Sequence, residues 1–339
     1  MMNKTQPKIG VVIIGINVAK YLADCINSVL SADYPENLLE IVYVDGGSRD
    51  DSPDIAKAIE EIKVVELKDR HPTPGRGRNT GWKVLSTPLI QFLDADTILH
   101  PGWFNQAIPR LDDKTAAVCG HRREIHPSKN FYHILTEMEW YYEMGPCRYF
   151  GGDVLVKREA LEKTGGFDDQ LVAGEDPELS YRIREQGWQI IRIDAPMTRH
   201  DINMSTFRQY LKRAYRSGYA YAEIGLRFIK NNEKLWLREL IRITCKALIP
   251  VALVLVGFLI GKVWVGVFLA LLILGRPLFR IHRLRQHFQQ SWTNTLLYAG
   301  HSALVVYPQF WGILRYFWGR SFGRPLRNKG VILETNSDN

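Results

Sequence analysis

Residues 39–45 (LEIVYVD) and 88–94 (PLIQFLD) are short runs of apolar and β-branched residues, and each run ends on an aspartate. Runs of this length and composition predict buried strands. Two more strands and two segments with helical spacing are predicted around them, at 9–15, 63–67, 18–31 and 52–62. Because strands that alternate with helices form parallel sheets, the sequence predicts an α/β domain with a mostly parallel sheet.

Asp45, Asp94 and Asp96 stand at the carboxyl ends of these strands. In open α/β sheets, ligands bind in the crevice beyond those ends, so we expect Asp45 and Asp94 to face one crevice. Because side chains alternate along a strand, Asp96 is expected on the same face as Asp94. Carboxylate oxygens are the ligands of a hard divalent cation, which also binds phosphate oxygens. An Asp-x-Asp sequence by itself is equally typical of a simple turn, and that alternative stays open.

Two further segments place charged side chains in the same domain. Residues 75–79 (GRGRN) predict a basic, glycine-rich loop, and arginines beside a cation favour a diphosphate over a metabolite carboxylate. Residues 174–182 (GEDPELSYR) place Glu175 and Asp176 at the start of a helix. A carboxylate there can act as a general base if it reaches an acceptor hydroxyl. Acids also occur at helix N-termini because the helix dipole favours them, so a purely structural role is the alternative.

Five motifs in this order resemble those of family 2 glycosyltransferases with the GT-A fold: VDGGS at 44–48, GRGRN at 75–79, FLDAD at 92–96, GGFD at 165–168 and GEDPELSYR at 174–182. The resemblance covers residues 9–200. It implies a Rossmann-like α/β fold, a nucleotide-sugar donor and a divalent metal cofactor, Mn²⁺ or Mg²⁺, that bridges the diphosphate. It also implies inversion, in which a base deprotonates the acceptor hydroxyl while the nucleoside diphosphate leaves.

The resemblance assigns roles to individual residues. The nucleotide-sugar is predicted to be bound by Asn17, Asp45, Arg78 and Asp94. The metal is predicted to be held by Asp96, Asp94 and His200, although a structural histidine is the alternative for the last. Asp176 is predicted to be the catalytic base, with Glu175 beside it. The acceptor is predicted to be bound by Trp140, Tyr141 and Asp153. Aromatic rings stack on sugars, but the aromatic segment that holds the first two also fits core packing.

Two departures from the family pattern narrow these expectations. The first strand ends Ile14-Gly15-Ile16-Asn17, where the family commonly has Pro-Thr-Tyr-Asn, so only the asparagine of that motif is kept. The Gln-x-x-Arg-Trp motif of processive members is replaced by Arg213-Ala214-Tyr215-Arg216. We therefore predict transfer of a single sugar and not polymerisation.

The net charge of +8 is concentrated near the C-terminus. Twelve basic and two acidic residues follow residue 240, and no carboxylate lies between Glu239 and Glu334. A nucleic-acid-binding protein carries its basic surface on the folded domain, whereas here the basic residues flank the most apolar segments. The pattern excludes nucleic acid as a partner and predicts contact with anionic membrane lipids.

Residues 247–274 are apolar except for Lys262. As one helix they would be about 42 Å long, against a hydrocarbon core of about 30 Å, so a hairpin that turns at Gly261-Lys262 is predicted. A buried core helix is the alternative. The predicted organisation is a GT-A domain at 1–200, amphipathic interfacial helices at 201–246, a membrane region at 247–318 (a hairpin at 247–279 and a weaker segment at 294–314) and a basic cytosolic tail at 319–339.

These patterns predict an enzyme on the cytoplasmic face of the cell (inner) membrane, because no secretory signal precedes the first strand. It is predicted to move one sugar from a nucleotide-sugar, with a UDP-sugar favoured, to a hydroxyl of a membrane-held, lipid-linked saccharide. One alternative is transfer to a polyprenyl phosphate, an acceptor that is already an anion. The other is a non-catalytic membrane-tethered scaffold that keeps the nucleotide fold.

Overall fold

A computed structural model of the protein describes residues 6–69, 71–288 and 290–327. The described residues form two compact units. The first unit contains the chain up to Ile125 and Tyr142–Asp201, and the second contains His126–Tyr141 and Ile202–Leu326. The predicted cytosolic tail beyond residue 327 lies outside the described residues.

Nine strands are found in the described residues, and all belong to the first unit: β1 Ile9–Gly15, β2 Leu39–Asp45, β3 Ile62–Glu66, β4 Leu89–Asp94, β5 Thr97–Leu99, β6 Thr115–Glu124, β7 Gly145–Pro146, β8 Val154–Lys157 and β9 Gln189–His200. The α-helices of both units, numbered along the chain, are α1 Ala19–Leu30, α2 Ser52–Lys57, α3 Pro74–Lys83, α4 Trp103–Ala107, α5 Phe131–Glu139, α6 Arg158–Thr164, α7 Glu175–Glu185, α8 Phe207–Arg227, α9 Leu237–Leu259, α10 Val263–Leu274, α11 Ile281–Phe288, α12 Trp292–Leu304 and α13 Val306–Ser321.

The strands form one mixed sheet in the order β3-β2-β1-β4-β8-β6-β9-β5, with β7 paired to β9. Strands β1 to β4 run parallel, as predicted, and β8 is inserted antiparallel between β4 and β6. Gly15 pairs with Asp45 and Ile14 with Asp94, so three carboxyl ends meet at one edge of the sheet. The predicted α/β architecture is confirmed.

The core of the first unit forms because apolar side chains of the strands and of α1 share one cluster. Val12 on β1, Phe92 on β4, and Leu22 and Ile26 on α1 are completely buried in it. Each such side chain contributes about 1.5–3 kcal/mol relative to exposure. This packing fixes the strand ends that carry the polar residues described below.

Two predicted segments differ from the structure. The second helix was predicted at 52–62 and ends at Lys57, because the chain must turn before β3 begins at Ile62. Residues 75–79 were predicted as a loop and lie in α3 instead. Thr73 caps this helix by accepting a hydrogen bond from the Arg76 amide (3.1 Å), and Pro74 fits its first position. The cap and the proline favour a helix more than the glycines disfavour it. Arg78 therefore lies on a helix.

The second unit is helical. Helix α8 begins with a capping box formed by Thr206 and Gln209. Helix α9 begins within the predicted amphipathic region at 201–246 and continues into the apolar segment at 247–274. The chain then turns at Gly261 (φ 68°) into α10. Residues 294–314 are divided between α12 and α13.

Two segments among the described residues are long and apolar enough to cross a membrane, judged by length and composition: Leu237–Leu259 and Val263–Phe288, with mean hydropathies of 2.0 and 1.8. Large apolar side chains along them are exposed, among them Phe258, Leu259, Trp264 and Phe268. Exposed apolar surface of this extent marks a membrane or protein contact. Both segments are consistent with membrane association.

Candidate active site

Arg78 connects the two acidic motifs of the first unit. Its side chain is buried, and Nη2 donates to Asp94 Oδ1 (2.8 Å) while Nη1 donates to Glu175 Oε1 (2.8 Å). Asp176 Oδ1 lies 3.4 Å from Nη1. Because Asp94 ends β4 and the other two acids begin α7, one guanidinium fixes the strand end relative to the helix start.

A second arginine and a buried aspartate support Asp94 from the other side. Arg122 Nη2 donates to Asp94 Oδ2 (3.2 Å), and Arg122 Nε lies 3.5 Å from Asp153 Oδ2. Asp153 is completely buried and accepts hydrogen bonds from the Asp94 amide (3.2 Å) and the Thr198 hydroxyl (2.6 Å). In this position Asp153 holds Asp94 in place, and its predicted contact with the acceptor stays a prediction.

Arg122 was not identified from the sequence. The available signal was the pair Arg122-Arg123, which lies near the carboxyl end of β6 as Asp94 lies at that of β4.

The environment moves the pKa values of Asp94 and Asp176 in opposite directions. Burial raises the pKa of Asp94, but the positive charges of Arg78 and Arg122, with His200, outweigh burial and bring it down to about 2. Burial is the largest effect on Asp176 as well, and Glu175 and Asp94 add to it, so that Arg78 does not compensate and the pKa rises to about 8. One carboxylate is therefore ionised at neutral pH while the other holds a proton, a division typical of acid–base sites.

Because the pKa of Asp176 is raised in the folded protein, we predict that the free energy of unfolding decreases as the pH rises. Unfolding returns the pKa to its ordinary value of 3.8, so the stability associated with protonated Asp176 is complete below pH 4 and is lost as the pH rises through about 8. The isosteric Asp176→Asn variant carries no such charge. We expect its Tm to equal that of the wild type near pH 4 and to exceed it by several degrees at pH 8, measured by differential scanning fluorimetry without metal. A Tm difference that is the same at both pH values would contradict the raised pKa.

Asp94, Asp96 and His200 form a group suited to a metal ion. Their ligand atoms lie within 4.8 Å of one another, and His200 Nε2 is 2.9 Å from Asp96 Oδ1. The pairing of Thr97 on β5 with His200 on β9 brings the histidine to the Asp-x-Asp motif. Two carboxylates and an imidazole fit a divalent ion such as Mn²⁺. Even with Asp176 protonated, four acidic side chains (Asp94, Asp96, Asp153 and Glu175) outnumber the two arginines, so the site favours a cation.

Asn17 and Asp45 lie in a separate hydrogen-bonded group. Asp45 is buried, and its Oδ2 accepts from the amides of Gly47 and Ser48 (2.8 Å each) while Oδ1 accepts from the Ser48 hydroxyl (2.5 Å). Asn17 Oδ1 accepts from the Arg49 amide (2.8 Å). These bonds shape the loop after β2 and use the Asp45 oxygens, so a contact of Asp45 with the nucleotide stays a prediction.

Trp140 and Tyr141 belong to the second unit, directly after α5. Trp140 is half-buried and Tyr141 is exposed. Their role in acceptor binding stays a prediction.

Gly152 leaves room for the Arg78–Asp94 pair. A Cβ at this position would lie 2.6 Å from Asp94 Oδ2 and 2.9 Å from Arg78 Nη2, whereas a Cβ on the neighbouring Gly151 would meet only Arg122 Nη1, at 3.9 Å. We expect Gly152→Ala to displace Asp94 and to weaken Mn²⁺ binding at least about tenfold, the size of effect seen when residues that orient metal ligands are lost. Gly151→Ala is the matched control. Equal Mn²⁺ affinities for the two variants in a calorimetric titration would refute this packing argument.

This arrangement defines a class of protein: an α/β fold whose strand ends carry a group of side chains suited to a divalent cation. A model of glycosyl transferase family 2 matches residues 10–167, and one of glycosyl transferase family group 2 matches residues 89–318, more than half of the chain. The protein belongs to the family 2 glycosyltransferases and has the GT-A fold. It is an enzyme that uses a nucleotide-sugar donor.

The chain is similar to several known proteins. It is 25% identical over 269 residues to glycosyltransferase AglE of Haloferax volcanii, which covers 76% of this chain and 83% of AglE. The fold is shared with mannosyltransferase PcManGT from Pyrobaculum calidifontis in complex with GDP-Man and Mn²⁺ (TM-score 0.61, 18% identity, 94% of this chain and 89% of that one). It is also shared with residues 1–349 of S. aureus TarS in complex with UDP-GlcNAc (TM-score 0.55, 16% identity, 89% and 92%).

Proposed function

We propose that the protein transfers one sugar from a nucleotide-sugar, with inversion, to a hydroxyl of a membrane-associated, lipid-linked saccharide. The observation that carries the proposal is the Arg78 bridge. It joins Asp94, which stays ionised, to the acidic pair of α7, in which the pKa of Asp176 is raised to about 8. Arg78 thereby holds the proposed donor site at Asp94 and the proposed base on α7 at a fixed separation, as transfer to a hydroxyl requires.

In this mechanism Asp94, Asp96 and His200 hold a divalent metal cofactor, Mn²⁺ or Mg²⁺, as PcManGT holds Mn²⁺ in its complex. When bound, the ion neutralises the charge that develops on the diphosphate leaving group. Arg78 and Arg122 orient Asp94 through both of its carboxylate oxygens. Asp176 takes the proton of the acceptor hydroxyl, and Glu175 keeps Arg78 in place beside it.

We propose further that α9 and α10 anchor the enzyme in the cell membrane with its catalytic domain on the cytoplasmic face. The two apolar segments and the basic residues around them support this location. The anchor is chemically useful because the donor is soluble while a lipid-linked acceptor is confined to the membrane surface.

Donor hydrolysis across UDP-, GDP- and dTDP-sugars tests the proposal, with detergent-purified full-length protein and with Mn²⁺, Mg²⁺ or EDTA. We predict metal-dependent turnover of one donor, with a UDP-sugar as the favoured candidate. Complexes of similar folds with GDP-Man and with UDP-GlcNAc are the reason to include both nucleotides. No binding or turnover of any donor with either metal would support the non-catalytic scaffold.

A further inference from the structure

The second unit contains a cavity of about 410 Å³, within the size range of small-ligand sites. Five helices line it: α5, α8, α9, α12 and α13. Its residues recur at helical spacing, for example Tyr210, Arg213 and Ser217 on one face of α8. Four tyrosines, on α5, α8 and α12, add hydroxyl groups and aromatic faces to the wall: Tyr132, Tyr210, Tyr221 and Tyr298.

The cavity contains one acidic residue, and its charge is compensated. Glu139 Oε2 lies 3.4 Å from Arg213 Nη2, and Oε1 lies 3.3 Å from His301 Nε2. Arg213 also donates to the Thr136 hydroxyl (3.1 Å), and His301 bonds the Tyr210 hydroxyl through Nδ1 (2.8 Å). On this side of the cavity, Glu139, Arg213 and His301 therefore all have polar partners within the protein.

The other side carries two cations, Arg242 and Lys246, which lie one turn apart on α9. Within residues 6–69, 71–288 and 290–327, no carboxylate forms an ion pair with either of them, and the sequence has no acid between Glu239 and Glu334. Two adjacent cations in a cavity repel each other unless an anion lies between them. The cavity therefore suits an anionic group that the part of the chain described by the structure does not supply.

The position of these cations on α9 indicates where the anion comes from. The apolar part of α9 begins at Ala247, directly after Lys246. Basic side chains at the end of a membrane-crossing segment lie at the level of the lipid headgroups. Phosphate oxygens are the usual anionic partners of arginine and lysine at that level.

We propose that this cavity binds the phosphate or diphosphate headgroup of the lipid that carries the acceptor saccharide. Arg242 and Lys246 contact the phosphate oxygens, and the hydroxyls of the lining tyrosines donate hydrogen bonds to the groups next to them. The identity of the ligand rests on the proposed function, whereas the anion site rests on the cavity itself.

The test uses full-length protein in mixed detergent micelles and follows the fluorescence anisotropy of a labelled polyprenyl diphosphate. Arg242→Gln/Lys246→Gln removes both cations. Loss of a charge-assisted contact costs about tenfold or more in affinity, so we expect roughly a hundredfold weaker binding. Arg238→Gln/Arg283→Gln removes the same charge from two positions that, like Arg242, are exposed but do not line the cavity, and it should change affinity by less than about threefold. The variant Arg242→Lys/Lys246→Arg keeps both charges and should retain most of the binding. It distinguishes loss of the charges from damage to the fold as the cause of weaker binding.

Unlabelled phosphatidylglycerol, added as competitor, distinguishes the two sources of a lipid phosphate. We expect weak competition. Competition as strong as that of unlabelled polyprenyl diphosphate would assign the cavity to ordinary phospholipids and overturn the acceptor assignment. Equal affinities of the cavity variant and the exposed control would overturn the site altogether. Nucleotide binding, measured without lipid, tests the proposed function separately. If no nucleotide binds, the proposed enzyme mechanism is wrong. The anisotropy titration still decides whether the anion site exists.

Discussion

In Asp96→Ala, kcat/KM for sugar transfer falls by at least about 100-fold, and the remaining activity no longer depends on added Mn²⁺. Asp96 Oδ1 contacts His200, and Asp96 belongs with Asp94 and His200 to the proposed metal group, so the substitution removes one of its three side chains. Metal stabilisation of a leaving group contributes several kcal/mol, and each 1.4 kcal/mol is about a factor of ten in rate. Steady-state transfer rates measured over a Mn²⁺ titration give both kcat/KM and its dependence on Mn²⁺.

The matched control is Asp24→Ala, which removes an exposed carboxylate from α1 in the same unit. Its kinetic constants should stay within about twofold of the wild type, because surface substitutions of this kind have small effects. Wild-type Mn²⁺ dependence in Asp96→Ala would show that the metal is held elsewhere.

Asp176→Asn lowers kcat for transfer to a hydroxyl by about 10²–10⁴-fold, the usual contribution of a general base, with little change in donor binding. Asparagine keeps the size of the side chain and leaves Arg78 its contacts with Asp94 and Glu175. Single-turnover measurements with saturating donor separate the chemical step from donor binding. A polyprenyl phosphate acceptor needs no proton removed, so Asp176→Asn would retain much of its activity if that alternative acceptor is the natural one.

The pH dependence follows from the same carboxylate. Asp176 acts as a base only when deprotonated, so kcat/KM should increase as the pH rises through the pKa of Asp176, which is about 8 without metal. Cation binding at Asp94 and Asp96 adds positive charge near Asp176 and lowers its pKa, so the rise with Mn²⁺ should occur below pH 8. A decrease in kcat/KM over this interval would contradict the assignment of Asp176 as the base.

The positions of the strand ends were predictable from the sequence, because apolar runs of five to seven residues that end on an aspartate have few other structures available. The predicted strands at 9–15 and 39–45 match β1 and β2 at both ends. Asp94, Asp96 and His200 were named as a metal group on the basis of the resemblance, and the fold brings their ligand atoms together.

Other features depend on contacts between distant segments, which local pattern does not encode. Arg78 was predicted in a loop and is fixed on α3 by a cap at Thr73. Arg122 reaches Asp94 from β6, which lies two strands from β4 on the far side of β8, and no local signal predicts that strand order. The buried position of Asp153 follows from the insertion of β8 between these strands, since residue 153 directly precedes β8.

Mn²⁺ binding measured by electron paramagnetic resonance, with and without UDP or GDP, tests the central claim most directly. We predict that the full-length wild type binds one Mn²⁺ per chain, that a nucleoside diphosphate tightens this binding, and that Asp96→Ala and His200→Ala weaken it at least about tenfold. Binding that is unchanged in both variants, or that does not respond to either nucleotide, would contradict a metal-assisted nucleotide-sugar site at the ends of β4 and β9.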